Sequence, residues 1–232
     1  MTDPVEGGRR DSFYGRRKGH SLRPARADAL TRGLDSYALD LAAEPPARLA
    51  GLFSDPVDAV ALEIGFGGGE HLLHRAAAES HVGRIGVEPF VNGMAKVAAA
   101  LDTEPRGNVR LFDRDAAELL DWLPEASVSV VDLLYPDPWP KRRHWKRRFV
   151  SDTNLARIAR VLVPGGFFRF ASDIPSYVDW TLLAIGRSAD FAWTAMDADD
   201  WRRPFPGWPG TRYEQKAIRE GRRGTYLTFR RR

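Results

Sequence analysis

Two rhythms of apolar residues alternate along this chain. Short, nearly continuous apolar runs read as strands buried on both faces, at residues 57–63, 84–88, 108–113, 127–135 and 167–171. Between and after them lie stretches with helical spacing: 70–80, 90–101, a short one through Leu119, Leu120 and Trp122, one around 152–162, and 174–187. The fourth of these is the best marked, with Leu155, Ile158, Ala159 and Leu162 on one face. Asp152 or Thr153 is expected to cap its start and Pro164-Gly165-Gly166 to end it. From 29 to 52 the helical pattern is weak, and Glu44-Pro45-Pro46 breaks it. Residues 225–229 alternate as an antiparallel edge strand does. Strand followed by helix, five times over, predicts an α/β fold: a doubly wound, mostly parallel sheet with an antiparallel edge strand. Right-handed crossovers then bring the ends of the five parallel strands to one edge, where ligands bind in such sheets.

Composition adds little to this picture, and charge adds more. A chain of 232 residues, 43% hydrophobic and 28% charged, is long enough for one self-sufficient core. It contains no cysteine, which excludes disulfides, thiolate metal sites and a cysteine nucleophile. No apolar run approaches the ~20 residues that span a bilayer, so a cytoplasmic protein with no membrane partner is expected. The net charge of +4 conceals a division. Residues 1–26 hold seven Lys/Arg against three Asp/Glu, residues 141–148 six against none, and residues 202–232 ten against two. These segments together carry +18 and the rest of the chain −14, the segregation that a phosphate-bearing polymer selects. Residues 1–28 read as a basic arm, disordered until its partner binds, and 29–232 as a single domain.

The predicted ligand edge is acidic. Glu63 follows the first strand, Glu88 the second, Asp113 and Asp115 the third, Asp137 the fourth and Asp173 the fifth. The first strand runs into Glu63-Ile64-Gly65-Phe66-Gly67-Gly68-Gly69, where Gly65 and Gly67 allow a sharp turn close to a ligand. A nicotinamide dinucleotide would need a third glycine where Glu70 stands, and its pyrophosphate would be repelled by Glu63. S-adenosylmethionine carries an ammonium and a sulfonium instead, which carboxylates attract. Glu88 would then accept from the ribose hydroxyls and Asp115 would reach the adenine amino group. After the fourth strand, Pro136 and Pro138 lock Asp137 at this pocket, Trp139 offers a face to a base, and six cations follow. His144 and the His71/His74 pair have no third ligand type nearby, so no metal is expected.

These residues resemble a known family. LEIGFGGG, GVEPF, PDPWPKRRHWKRR, ASD and TRYEQKA, in this order and spacing, are similar to the bacterial tRNA (guanine-N7-)-methyltransferases, the TrmB family. The resemblance runs from about Phe13-Tyr14-Gly15-Arg16-Arg17 nearly to the C-terminus. It implies a class I S-adenosylmethionine-dependent methyltransferase, Rossmann-like, that modifies guanine N7 at position 46 in the tRNA variable loop. It implies that Glu63, Glu88, Asp115 and Asp137 line the donor pocket with Gly65 and Gly67, and that Asp137 is the catalytic residue. Lys141, Asp173, Thr211, Arg212, Tyr213 and Glu214 fall on substrate positions, and Arg143, His144, Trp145, Lys146, Arg147 and Arg148 on an RNA-contacting run. The partner implied is tRNA, bound by a monomer or homodimer. Two other readings share these features: methylation of another RNA base, and a non-catalytic RNA-binding protein on the same scaffold.

Overall fold

The five apolar runs form parallel strands: β1 (Ala59–Ile64), β2 (Val82–Val87), β3 (Val109–Phe112), β4 (Val128–Leu134) and β5 (Leu162–Ser172). Two further strands, β6 (Phe191–Trp193) and β7 (Thr225–Arg231), pair antiparallel. The computed structural model describes residues 14–232, and its seven-stranded sheet runs β3-β2-β1-β4-β5-β7-β6. The chain moves outward from β1 to β3, then returns to the other side of β1 as β4. The strand order therefore reverses between β1 and β4, which opens a crevice at their C-terminal ends.

Helices cover both faces. On one, Leu72 of α2 (Glu70–Ala78) and Met94, Val97 and Leu101 of α3 (Val91–Thr103) pack on Val109 and Leu111 of β3. Leu30 and Leu34 of α1 (Pro24–Tyr37) complete that layer. On the other face Leu62, Ile85, Val131, Phe168 and Phe229 meet Leu119 of α4 (Ala116–Trp122), Leu155 and Ile158 of α5 (Asp152–Val161) and Tyr177 of α6 (Pro175–Arg187). Alternation along the strands places Glu63, Asp132 and Arg169 on the α2 face, in register across β1, β4 and β5. Asp132 and Arg169 form a bidentate pair at 2.6 and 2.8 Å.

Several local expectations are corrected. Ser151, not Asp152 or Thr153, caps α5, its Oγ accepting the Asn154 N–H at 3.2 Å. Pro164-Gly165-Gly166 does not terminate that helix. α5 stops at Val161 and the next residue already pairs with Val128, so the Pro-Gly-Gly lies in a bulged start of β5. β7 is antiparallel, but the edge belongs to β6, whose three residues are too few to show a period. Two helices, α7 (Asp199–Arg202) and α8 (Arg212–Arg219), lie where the apolar pattern predicts none; α8 buries only Glu214 and Ala217, so it shows no apolar stripe.

Residues 1–13 of the basic arm lie outside the described residues. From Tyr14 the chain runs along the start of α3: the Val91 N–H donates to Arg17 O at 2.9 Å and the Gly19 N–H to Asn92 Oδ1 at 2.7 Å. α1 begins at Pro24 and crosses the position expected to divide arm from domain.

Candidate active site

A cleft of about 590 Å³ opens at the crevice between β1 and β4. Gly65 and Gly67 form its turn with φ of 73° and 57°, left-handed values that favour glycine. The turn curls around Glu88, at the end of β2. One carboxylate oxygen accepts the Gly67 N–H at 2.6 Å and the other the Phe90 N–H at 2.9 Å. Glu88 is 8% exposed, and burial raises its pKa above the usual carboxylate range against the pull of those two donors. A carboxylate has about four lone-pair sites, so two remain for a ligand. Asp115 is buried in the wall at the start of α4, where it caps the helix by accepting the Ala117 N–H at 2.9 Å.

Asp137 lines the same cleft. Its backbone is held by Pro136 and Pro138, and beyond these Tyr135 and Trp139 adopt left-handed φ of 50° and 43°. Such values are uncommon in residues with side chains and mark an over-determined loop. Asp137 is exposed at the cleft, among the described residues nothing donates a hydrogen bond to its carboxylate, and partial desolvation by the cleft wall raises its pKa. Tyr135 is fixed from behind. Tyr226 donates to Glu214 Oε1, so Tyr135 donates to the Tyr226 oxygen at 3.3 Å. Burial raises both tyrosine pKa values, which keeps these donors protonated. Trp208 Nε1 donates to the other Glu214 oxygen at 2.8 Å.

The basic run forms a turn of 3₁₀ helix, Arg142–Arg147, beside the cleft. Lys146 and Arg147 line the opening with Arg16. Arg147 lies between the rings of Trp139 and Tyr14, 5.0 and 5.6 Å from their centres, so the guanidinium covers a face that the sequence assigned to a base. Lys141, Arg142 and Arg143 are exposed, and His144 sits edge-on to Trp139 with its pKa lowered by partial desolvation and by Arg147, Arg143 and Lys141. Trp145 packs edge-to-face on Trp180. Arg148 differs from its neighbours: it is 3% exposed and bonded to protein groups.

Glu88, Asp115, Asp137, Gly65, Gly67 and Tyr213 thus share one cleft, while Glu63, Asp173 and Glu214 are outside its wall. Glu63 is 5% exposed on the α2 face, 2.7 Å from His71 Nδ1, and His71 packs against Trp208. Asp173 accepts from Arg222 Nε at 2.6 Å. Thr211 caps α8 through the Glu214 N–H at 3.1 Å, and Arg212 donates to the Tyr213 hydroxyl at 2.9 Å. Tyr213 and Arg212 pack against Gly67, which brings the start of α8 to the glycine turn. Sequence reasoning did not assign Tyr14, Gly15, Arg16, Phe90 or Tyr135 to the site. The FYGRR motif was a signal for the first three, whereas nothing in the sequence marked the left-handed Tyr135.

Buried Glu88 and Asp115 and exposed Asp137 line the cleft together with the exposed cations Arg16 and Lys146, an arrangement that suits a cationic ligand against the acids and a polyanion across the surface. Comparison with known proteins agrees. A family described as "Putative methyltransferase" matches residues 58–227. A tRNA (guanine-N(7)-)-methyltransferase of Mesorhizobium japonicum is 63% identical over 94% of both chains, and one of Agrobacterium fabrum is 56% identical over the full length of both. Among solved structures, the 16S rRNA methyltransferase KamB shares the fold with a TM-score of 0.57 at 18% identity, over 82% of this chain and 94% of that one. The chain belongs to the tRNA (guanine-N(7)-)-methyltransferase family.

Proposed function

We propose that the chain transfers a methyl group from S-adenosylmethionine to N7 of guanine 46 in the variable loop of tRNA, as a cytoplasmic enzyme. The observation that carries this reading is the Asp137 carboxylate, held by its backbone on the same cleft as Glu88 and Asp115, with no protein donor among the described residues and with Arg16, Lys146 and Arg147 on the cleft beside it. The cleft residues suit the donor. Glu88 keeps two lone-pair sites for ribose hydroxyls, and the Glu88, Asp115 and Asp137 carboxylates favour a cation. S-adenosylmethionine supplies the electrophilic methyl group when bound.

The chain's own residues then have a limited task. Guanine N7 already presents a lone pair, so no proton must leave before attack and no nucleophilic side chain is needed. Asp137 accepts hydrogen bonds from guanine N1–H and N2–H, orients the base, and stabilises the positive charge that methylation leaves on the ring. Lys146, Arg147 and the exposed cations of 141–143 hold phosphates. Methyl-labelled S-adenosylmethionine should mark a tRNA transcript with guanine at position 46 and leave one with adenine there unlabelled. Reduction and aniline treatment should cleave the labelled chain at that position. Equal labelling of both transcripts would contradict the site assignment.

A further inference from the structure

Arg148 closes the run of six cations, and its surroundings are unlike those of the other five. Its side chain is buried, and among the described residues it pairs with no carboxylate. The guanidinium is spent on neutral acceptors: Nε donates to Pro138 O at 2.9 Å, Nη1 to Ser176 O at 2.7 Å and Nη2 to Ser176 Oγ at 3.1 Å. Three rings enclose it, with Trp145, Tyr177 and Trp180 centred 4.6, 4.8 and 5.5 Å from its central carbon. Arg148 reaches the wall of the cleft, but each of its three guanidinium nitrogens already donates to a protein oxygen, so the fork is committed to Pro138 and Ser176 rather than to a phosphate.

The position of the Nε bond gives it a consequence for the site. The segment from Tyr135 to Trp139 enters from the sheet, where the Tyr135 N–H donates to Ala171 O at 2.8 Å. Pro136 and Pro138 then remove two backbone donors, so carbonyls are the main handles by which the protein can hold this loop. Arg148 takes the Pro138 carbonyl, the one that leads into left-handed Trp139. Asp137 therefore sits between two tethers, the sheet on one side and Arg148 on the other. The other end of the fork grips the first turn of α6, three residues beyond Asp173.

We propose that Arg148 is a positioning residue that sets the Asp137 carboxylate by holding the Pro138 carbonyl against α6, and that it does not contact RNA. The proposal rests on the methyltransferase reading above for the step it affects, but its RNA clause is measured without catalysis. Lysine keeps the charge but cannot reproduce a planar fork that spans Pro138 and Ser176.

The test uses the full-length protein with Arg148→Lys, Arg148→Ala and, as comparator, the exposed Arg143→Ala. Single-turnover methyl transfer at saturating tRNA is measured beside S-adenosylmethionine affinity and tRNA affinity over a salt series. For Arg148→Lys the transfer rate should fall roughly 10- to 100-fold, the cost of a small misplacement, with both affinities within about threefold of wild type. The salt slope of Arg148→Ala, which removes the charge, should equal that of wild type, whereas Arg143→Ala should flatten the slope by roughly 0.7–0.9. Methylguanidinium should restore transfer to Arg148→Ala by entering the vacated ring cage, and methylammonium should not. A slope flattened for Arg148→Ala as much as for Arg143→Ala, with the transfer rate of Arg148→Lys intact, would make Arg148 an RNA contact and overturn the proposal. Transfer, donor binding and tRNA binding falling together would make it a general fold residue, which overturns it equally. Wild-type protein that binds tRNA without methylating it would reject the proposed function instead, and the slopes would still decide the RNA clause.

Discussion

Glu88 and Asp137 are carboxylates on one cleft, both with pKa values raised by desolvation, yet the protein treats them in opposite ways. The glycine turn and the start of α3 point backbone N–H groups at both oxygens of Glu88. The loop around Asp137 is built from Pro-Asp-Pro, which cannot offer the same donors, and among the described residues none arrives from elsewhere. The difference teaches which acid is a fixture and which is a tool. Glu88 organises the turn and receives the ligand with its remaining lone pairs. Asp137 is held in place by its backbone and leaves its charge for whatever enters.

The largest expected effect separates the two by catalysis. Asp137→Asn should lower the methyl-transfer rate about 10²- to 10³-fold, the range for losing one preorganised electrostatic group, with a loss in S-adenosylmethionine affinity of no more than about tenfold. Calorimetry and single-turnover kinetics on one preparation check this; a rate within twofold of wild type would erase the distinction. Glu88→Gln should show the reverse pattern, losing roughly 10- to 100-fold in donor affinity because charged hydrogen bonds are worth about 1.5–3 kcal/mol. Tyr226→Phe probes the far tether of the loop. Removing its hydroxyl leaves Glu214 Oε1 without this donor and Tyr135 without its acceptor, a loss of about 1–3 kcal/mol in chemical denaturation.

The smallest effect is on stability and depends on pH. A carboxyl whose folded pKa is raised binds protons more tightly folded than unfolded, so its ionised form destabilises the fold as pH rises from the ordinary carboxylate range through the raised value. Asp137→Asn should therefore be at least as stable as wild type at pH 8, and the difference should vanish at pH below the ordinary aspartate range. A variant less stable than wild type at pH 8 would show that the carboxylate has a stabilising partner.

The sequence makes the floor of this site legible because strand ends are legible. Glu88, Asp115 and Asp137 follow apolar runs, and the topology collects such positions at one edge. It does not reveal on which face a charged residue lies when a run is buried on both. Glu63 is next to last in β1 and faces α2, where His71 meets it. Nor does it separate Arg147 from Arg148, adjacent cations on the cleft of which one is half-buried against Trp139 and Tyr14 and the other is buried among three rings. β6 and α8 escaped for a related reason: a three-residue strand has no period, and a helix that buries a glutamate against Trp208 and Tyr226 shows no apolar stripe. Tyr135 was invisible because a left-handed backbone at tyrosine is imposed by the surrounding structure.

Asp137 is a rigidly held carboxylate that awaits a cationic ligand. Carbon-detected NMR of the aspartate carboxyls, with the Asp137→Asn spectrum to assign the signal, measures this directly. The expected titration midpoint lies above the ordinary aspartate range in the free protein and falls when S-adenosylmethionine is added. A midpoint at or below that range, unmoved by the donor, would mean that the charge is already satisfied by the protein and would contradict the account.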